Sequence, residues 1–424
     1  MNSLSRSNPP RHWVIVALLV LSVAINYIDR GSLSVAAPTL SKEFDLGPRQ
    51  LGSLLAAFFW SYTLCQLVVG ALVDRWEVKW IYAGGFLVWS LAMAATGMVS
   101  GFTALFAARL VLGIGESVFL PSVSKIVVRL FPTERRGLPN ALVDVGTKVG
   151  PALSILIGGL LLEHYGWRAL FIGIGLASLL WLLPWMALVP RSAGAAPVAD
   201  EKDSAFGSAS EGALNGAGLS EILSRRELWG TSLGMFALGY VWIFLLTWLP
   251  SYLVNERGYT TKQMAVFGSL PYWGMAATSL AGGWASDRWI ASGGAPSLVR
   301  KTFAGTGLFL CAALLLPAGF VVDNSASMGF LITACVALGL FTSNVWAITQ
   351  TLAGTGAAGK WTGIQNCIGN LGGVISPIIA GVIVERTGRF YLAFAAAAGV
   401  LVLGGAAYLA MIRKVEPLEW SRKT

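Results

Sequence analysis

The sequence predicts an all-α membrane protein with twelve transmembrane helices. Two observations support this fold class, the apolar composition and the recurrence of long apolar stretches. Of the 424 residues, 55% are hydrophobic and only 12% are charged, whereas soluble domains average about 25% charged residues. The apolar stretches are long enough to cross the roughly 30 Å hydrocarbon core as helices.

Twelve spans can be placed, and the basic residues between them predict their orientation. Of the 30 Lys and Arg residues, 19 lie on the side that holds both termini, 7 on the other and 4 within spans. Basic loops favour the cytoplasm, so we expect a multi-pass protein of the bacterial cytoplasmic (inner) membrane with both termini in the cytoplasm. The spans are residues 13–37, 51–73, 79–99, 104–128, 139–162, 168–189, 228–253, 263–286, 301–322, 327–353, 361–384 and 390–412.

A polar segment divides the spans into six and six. Pro190 to Gly218 is rich in Ala, Gly and Ser, a composition that cannot bury a core and is typical of a flexible linker. Ser220 to Arg226 then fits a short amphipathic helix. The expected domains are a six-helix bundle at 1–189, a cytoplasmic linker at 190–227, a second bundle at 228–412 and a cytoplasmic tail at 413–424.

A short motif recurs at matching places in the two halves, after span two and after span eight. Its glycine lets helices approach closely, its carboxylate can accept bonds from amides at a helix start, and its arginine can bond the opposite half. We therefore predict that it gates the transport path. Parallel duplication of a six-helix unit is the architecture of the major facilitator fold. The predicted gating residues are Gly70, Asp74 and Arg75, then Gly283, Asp287 and Arg288.

Charged residues inside spans one and four are candidates for proton coupling. Asp29 and Arg30 are adjacent in span one, and such charges normally face a bundle interior or a water-filled cavity. A pair at a fraying helix end is the alternative. Arg109 and Glu116 lie seven residues apart, on one face of span four. Burial favours the neutral acid and a nearby arginine favours the carboxylate. Asp29 and Glu116 could thus exchange protons, unless Arg109 holds one of them in a permanent ion pair.

The charges within the membrane balance, which gives a simple route to coupling. Protonation of Asp29 or Glu116 would leave the group cationic, and an anion would restore neutrality. Asp144 and Lys148 are four apart in span five and can pair with each other, although Lys148 could also contact an anion. The balanced set is Asp29, Glu116 and Asp144 against Arg30, Arg109 and Lys148.

The second half offers uncharged polar residues instead. Ser343 and Asn344 in span ten and Asn366 in span eleven could bind hydroxyls of a ligand. The alternative is hydrogen bonding between helices, worth about 0.6–2 kcal/mol each. Tyr27 and Tyr62 in the first half are further candidates for ligand contact.

Five motifs resemble the anion:cation symporter family of the major facilitators, which includes bacterial hexuronate, galactonate and glucarate transporters. The resemblance implies proton-coupled import of organic anions, with Asp29 and Glu116 as protonation sites. It also implies that Arg30, Arg109 and Tyr62 hold the carboxylate, and that Ser343 and Asn366 bind sugar hydroxyls. The motifs are Asn26-Tyr27-Ile28-Asp29-Arg30, Arg109-Leu-Val-Leu-Gly113-Ile-Gly-Glu116, Phe131-Pro132-Thr-Glu134-Arg135, Tyr165-Gly166-Trp167-Arg168-x-x-Phe171 and Thr247-Trp248-Leu249-Pro250-x-Tyr252.

We therefore expect a secondary active transporter that imports a sugar acid (a hexuronate, aldonate or aldarate) with protons. A uniporter or exchanger of another carboxylate, without proton coupling, is the first alternative, and a non-transporting sensor the second. We expect no enzyme, because no nucleophile–base pair is visible, and neither a metal nor a cofactor. The expected partners are the anion, protons and the lipid bilayer, with no nucleic acid, and a monomer is the default.

Overall fold

The computed structural model describes residues 9–131, 137–190 and 218–420. Most of the expected linker at 190–227 lies outside the described residues, as do Pro132 to Arg135 of the third motif and the last four residues. Every other predicted span and site residue lies within them, except that the side chain of Asp74 is not described.

The described residues form thirteen α-helices and one π-helical turn, and no strand occurs among them. This all-helical content matches the prediction. The helices are α1 (Pro9–Glu43), α2 (Pro48–Arg75), α3 (Val78–Thr96), α4 (Phe102–Glu116), α5 (Phe119–Leu130), α6 (Gly137–Leu179), α7 (Leu182–Leu188), α8 (Leu219–Ser224), α9 (Arg226–Ser251), α10 (Thr261–Ala291), α11 (Pro296–Phe320), α12 (Asn324–Thr387) and α13 (Tyr391–Met411), with the π-helical turn at Tyr252–Glu256.

Two of the helices are too long for one span and contain two each. α6 breaks at Gly166 (φ 77°) and α12 breaks at Gly354 (φ 59°). Glycine adopts such positive φ angles readily because it has no Cβ. Nine stretches among the described residues are long and apolar enough to span a membrane, and one of them, Leu142–Leu188, holds both parts of α6. α2 and α10, at 28 and 31 residues, are about 42 and 46 Å long and complete the twelve.

The fourth span differs from the single helix expected at 104–128. It is divided between α4 and α5, and the break comes directly after Glu116. Pro121 lies in the first turn of α5, and a proline ring clashes with the carbonyl four residues earlier, here that of Ser117. The Ser117 hydroxyl also donates to the carbonyl of Ile114 at 2.7 Å. The break therefore sets Glu116 at a helix end inside the span.

The helices form two compact units. The described residues of the first lie within Met1–Ser32, Ala57–Ser154 and Leu161–Ser204. A stack of aromatic rings builds part of its core, with ring centroids 4.2 Å apart for Phe86 and Trp181 and 4.8 Å apart for Trp181 and Trp185. The indole of Trp181 donates to the carbonyl of Leu18 at 2.9 Å, so this stack also ties α1 to the same core.

The described residues of the second unit lie within Leu33–Ala56, Ile155–Leu160 and Ala205–Thr424. It includes the beginning of α2, which crosses the second part of α12 at a point where both helices carry glycine. A Cβ at Gly52 would overlap the carbonyl oxygen of Pro377, and one at Gly381 would meet the carbonyl oxygen of Pro48. The absence of side chains at these glycines allows the two backbones to touch.

The beginning of the predicted tail is packed on the second unit. The indole of Trp420 donates to the carbonyl of Ala353 at 2.9 Å, beside the break at Gly354. Arg225, which follows α8, donates to the carbonyl of Glu419 at 2.7 Å. The chain therefore returns to the helices after α13 and is held there through residue 420.

Candidate functional site

The centre of the site is a buried ion pair between α1 and α4. The Nε of Arg30 donates to Oε2 of Glu116 at 2.8 Å, and the side chains are 7% and 0% exposed. Among the described residues, the ion-pair partner of Glu116 is therefore Arg30 and not Arg109, which the spacing within span four suggested. A charge-assisted bond of this kind is short and strong in a low-dielectric interior.

Three aromatic rings surround the same guanidinium. The centre of the Arg30 guanidinium lies 4.5 Å from the ring of Tyr62 and 4.8 Å from those of Tyr27 and Phe58. The guanidinium of Arg109 lies 5.6 Å from the ring of Phe58, so both arginines contact this ring. Cation–π contacts favour this placement, and more strongly when water is excluded. Tyr27 and Tyr62, both predicted, are thus brought to Arg30, whereas Phe58 was not predicted.

Glycines set how closely α4 approaches its neighbours. A Cβ at Gly113 would overlap the hydroxyl of Ser61 and the carbonyl oxygen of Phe58 on α2. A Cβ at Gly115 would meet the backbone of Trp89 on α3 at 2.6 Å. The two glycines between Arg109 and Glu116 therefore let α4 pack directly against both helices, which brings Phe58 and Tyr62 to the buried charges.

Asp29 and Arg109 are buried in the same region with atoms that lack hydrogen bonds. Both carboxylate oxygens of Asp29, and Nε and Nη1 of Arg109, have no hydrogen-bond partner within the described part of the chain. Asp29 interacts electrostatically with Glu116, Arg109 and Arg30. A buried polar group without a hydrogen bond costs about 1–3 kcal/mol. Such atoms can bind a proton, in the case of Asp29, or the oxygens of an anion, in the case of Arg109.

Asp144 and Lys148 form an ion pair along one face of α6, as their spacing allowed. The side chain of Lys148 is 9% exposed, whereas that of Asp144 is 46% exposed. Asp144 also interacts electrostatically with Tyr27. Asp144 therefore links Lys148 electrostatically to the Arg30 cluster, by which we mean Tyr27, Asp29, Arg30, Phe58, Tyr62, Arg109 and Glu116. The ammonium group of Lys148 itself is directed to Asp144.

In the second unit, the polar residues of α12 are joined by an arginine that the sequence did not suggest. The Nη1 of Arg300 donates to Oδ1 of Asn344 at 3.3 Å, and Nδ2 of Asn344 donates to Oγ of Ser343 at 2.8 Å. Asn366 lies on the second part of α12 and is half-buried.

Neither of the two predicted gating glycines lies at a close contact between helices. A Cβ at Gly70 would meet nothing within 4 Å, and one at Gly283 would meet only Ser343 at 4.0 Å. The close approach of α10 to α12 occurs at Gly282 instead, where a Cβ would lie 3.0 Å from Oγ of Ser343. Successive residues of a helix point about 100° apart, so the neighbouring glycine faces the partner helix.

The charged residues of the motifs have different surroundings. Asp287 lies 3.8 Å from Nη2 of Arg300, and its side chain is 74% exposed. The guanidinium of Arg288 lies 5.6 Å from the ring of Trp284. Arg75 is exposed at the end of α2, and the side chain of Asp74 is outside the described part of the structure. Asp287 therefore reaches α11 through an ion pair with Arg300.

Comparisons with known proteins agree with this architecture. The family model described as Major Facilitator Superfamily matches residues 19–377. The chain is 30% identical to the hexuronate transporter of Bacillus subtilis over 95% of this chain and 94% of the relative. It is 29% identical to a probable L-galactonate transporter of Escherichia coli over 96% and 90% of the two chains.

A solved structure has the same fold. A bacterial homologue of the human lysosomal transporter Spinster, in an inward-facing and unoccupied conformation, superposes with a TM-score of 0.79 at 19% identity, covering 96% of this chain and 98% of that one. The predicted fold class and the resemblance stated from the motifs are both confirmed.

Proposed function

We propose that this chain, which belongs to the Major Facilitator Superfamily, imports an organic anion together with protons. It is a multi-pass membrane transporter and not an enzyme. Transport would proceed by alternating access, with halves 1–189 and 228–412 opening the site to each side in turn. We further propose a bacterial cytoplasmic membrane as its location, both termini in the cytoplasm, and a monomer as the working unit.

One observation supports coupling of anion transport to protons. It is the Arg30–Glu116 ion pair, together with the buried carboxylate of Asp29, whose oxygens have no hydrogen-bond partner among the described residues. A substrate carboxylate and the Glu116 carboxylate would compete for the same guanidinium. Protonation of Glu116 removes its charge and so weakens its hold on Arg30. The freed guanidinium, together with Arg109, could then take the substrate carboxylate, so that proton entry and anion entry occur together.

A sugar acid is the substrate class that the rest of the chain favours. The similar proteins are named for hexuronate and L-galactonate. Ser343, Asn344 and Asn366 offer a hydroxyl and two amides that could bind sugar hydroxyls. Tyr27 and Tyr62, which contact the Arg30 guanidinium, would lie beside the carboxylate end. Lys148 would add a second positive charge if its bond to Asp144 opened, as a dicarboxylate would require.

Uptake into proteoliposomes tests this proposal. Purified protein would be given glucuronate, galacturonate, galactonate, glucarate or glutamate with the outside acidic, with and without a protonophore. Concentrative uptake of a sugar acid that the protonophore abolishes is the expected result. Uptake that never exceeds the equilibrium level and is insensitive to the protonophore would show that transport is not coupled to protons. Selective uptake of glutamate alone would keep coupling and reject the sugar-acid class.

A uniporter or exchanger is the second candidate, and the same ion pair is the reason. The Arg30–Glu116 bond is short and almost fully buried, and breaking such a pair by removing one partner typically costs 3–5 kcal/mol. If the pair never opens, Glu116 cannot take up or release a proton, and transport cannot respond to the proton gradient. Equal flux at all pH gradients would favour this candidate.

A further inference from the structure

A groove separate from the charged site lies in the second unit, between the beginning of α11 and the end of α13. Its volume is about 880 Å³. Its mouth carries three basic side chains and one acid, Lys301, Arg413, Lys414 and Glu416. The positive-inside count predicts that this edge of the bundle lies at the cytoplasmic surface.

Backbone contacts fix the shape of the mouth. The Nζ of Lys301 donates to the carbonyls of Ile412 at 2.8 Å and Arg413 at 3.3 Å, which binds the end of α13 to α11. The amide of Val415 donates to Oγ of Ser297 at 3.0 Å. The stretch that carries Arg413 and Lys414 is therefore held against α11 by bonds that do not use their side chains.

The mouth has an excess of positive charge. Arg413 and Lys414 are exposed, and no carboxylate of the described chain forms an ion pair with Arg413. Lys414 lies 4.0 Å from Glu416, and both of these side chains are largely exposed. An exposed pair of this kind contributes little, with a median of about 0–1 kcal/mol. An anion at the mouth would therefore meet two basic side chains available to bind it.

The rest of the groove is apolar. Leu298, Phe309 and Leu409 line it together with Gly305. Gly305 has no side chain to fill the space, and a Cβ there would lie 3.1 Å from the side chain of Leu409. Leu298 is exposed at the side of the bundle. A small soluble anion would use the basic mouth and leave this apolar wall uncovered, whereas an amphiphile would cover both.

We infer that this groove binds an anionic phospholipid, with its phosphate at Arg413 and Lys414 and an acyl chain along Leu298, Phe309 and Leu409. Basic pockets between transmembrane helices at the cytoplasmic side are suited to anionic headgroups. The inference is independent of the proposed transport mechanism, because none of these residues belongs to the Arg30 cluster or to the polar residues of α12.

Native mass spectrometry of the delipidated full chain in detergent tests the inference. The protein would be titrated with dioleoyl phosphatidylglycerol, dioleoyl phosphatidylcholine or glycerol 3-phosphate. We expect one phosphatidylglycerol to be retained, with at least tenfold weaker binding of phosphatidylcholine. The double variant Arg413→Gln/Lys414→Gln should bind phosphatidylglycerol about 30-fold more weakly, equivalent to about 1 kcal/mol for each cation at the membrane surface.

A charge-matched control distinguishes binding in this groove from non-specific attraction of the anionic lipid to basic side chains. Arg386→Gln/Arg389→Gln removes two exposed cations between the end of α12 and the beginning of α13, at the opposite end of α13 from the groove, and should bind phosphatidylglycerol as the wild type does. Lys301 is kept in both variants, so the bonds between α11 and α13 remain. Equal binding of the two lipids, unchanged binding by the double variant, an equal loss in the control, or glycerol 3-phosphate binding as tightly as the lipid would each overturn the inference.

Discussion

Replacing Glu116 by glutamine removes a charge from the buried pair and keeps an oxygen that can accept from Arg30. The bond from Arg30 Nε to Glu116 Oε2 is 2.8 Å long and charge-assisted. Arg30 stays charged in Glu116→Gln, so a bond to one ionised group remains, worth about 1.5–3 kcal/mol. The variant loses the attraction between opposite charges, which is about 4 kcal/mol for charges about 4 Å apart at an effective dielectric constant of about 20. Glu116→Gln should therefore hold Arg30 more weakly and leave the fold intact.

The consequence for transport is specific. A pH gradient of one unit stores about 1.4 kcal/mol for each proton, which permits roughly tenfold accumulation of an anion carried with one proton. Glu116→Gln cannot take up that proton, so accumulation should fall to the equilibrium level. Exchange of internal for external substrate should continue, because it requires only that Arg30 bind and release the carboxylate.

Two assays on the same proteoliposomes distinguish these outcomes, acid-driven uptake and counterflow exchange. Glu163→Gln is the matched control, since Glu163 is exposed and lies outside the charged cluster, and it should behave as the wild type in both assays. Protonophore-sensitive accumulation by Glu116→Gln at the wild-type level would refute the argument. Loss of exchange along with accumulation would show that Glu116 acts in binding and not in coupling.

Three further predictions concern the packing around the charges. Phe58→Leu removes a ring shared by Arg30 and Arg109 and should raise KM about 2- to 30-fold, since a cation–π contact is worth about 0.5–2 kcal/mol; an unchanged KM in initial-rate uptake would contradict it. Gly113→Ala should lower the free energy of unfolding by about 1–3 kcal/mol through overpacking, whereas Gly173→Ala, with nothing within 4 Å of its Cβ, should not; equal melting temperatures in detergent would oppose it. Arg300→Gln takes a cation from Asn344 and Asp287 and should raise KM severalfold, while Arg386→Gln should not; identical KM values for the two variants would argue against a role for Arg300.

Much of the site could be predicted from the sequence because charges within apolar stretches are conspicuous. Asp29, Arg30, Arg109 and Glu116 stand out in spans that are otherwise apolar, and the cost of burying a charge makes a function the default expectation. Phe58 and Arg300 could not be predicted in this way. An aromatic residue in an apolar helix and an arginine near a helix end are both common in membrane proteins.

The sequence by itself determined the class of this protein, its helical content and the charges that its interior must accommodate, because these follow from composition and from the length needed to cross a bilayer. The tertiary structure decided which charges meet. Spacing along α4 allowed Arg109 as a partner of Glu116, yet the bond forms with Arg30, 86 residues away in the chain. The physical reason is that the rotation and approach of helices, set here by Gly113 and Gly115, place side chains from different helices together. No spacing within a single helix contains that information.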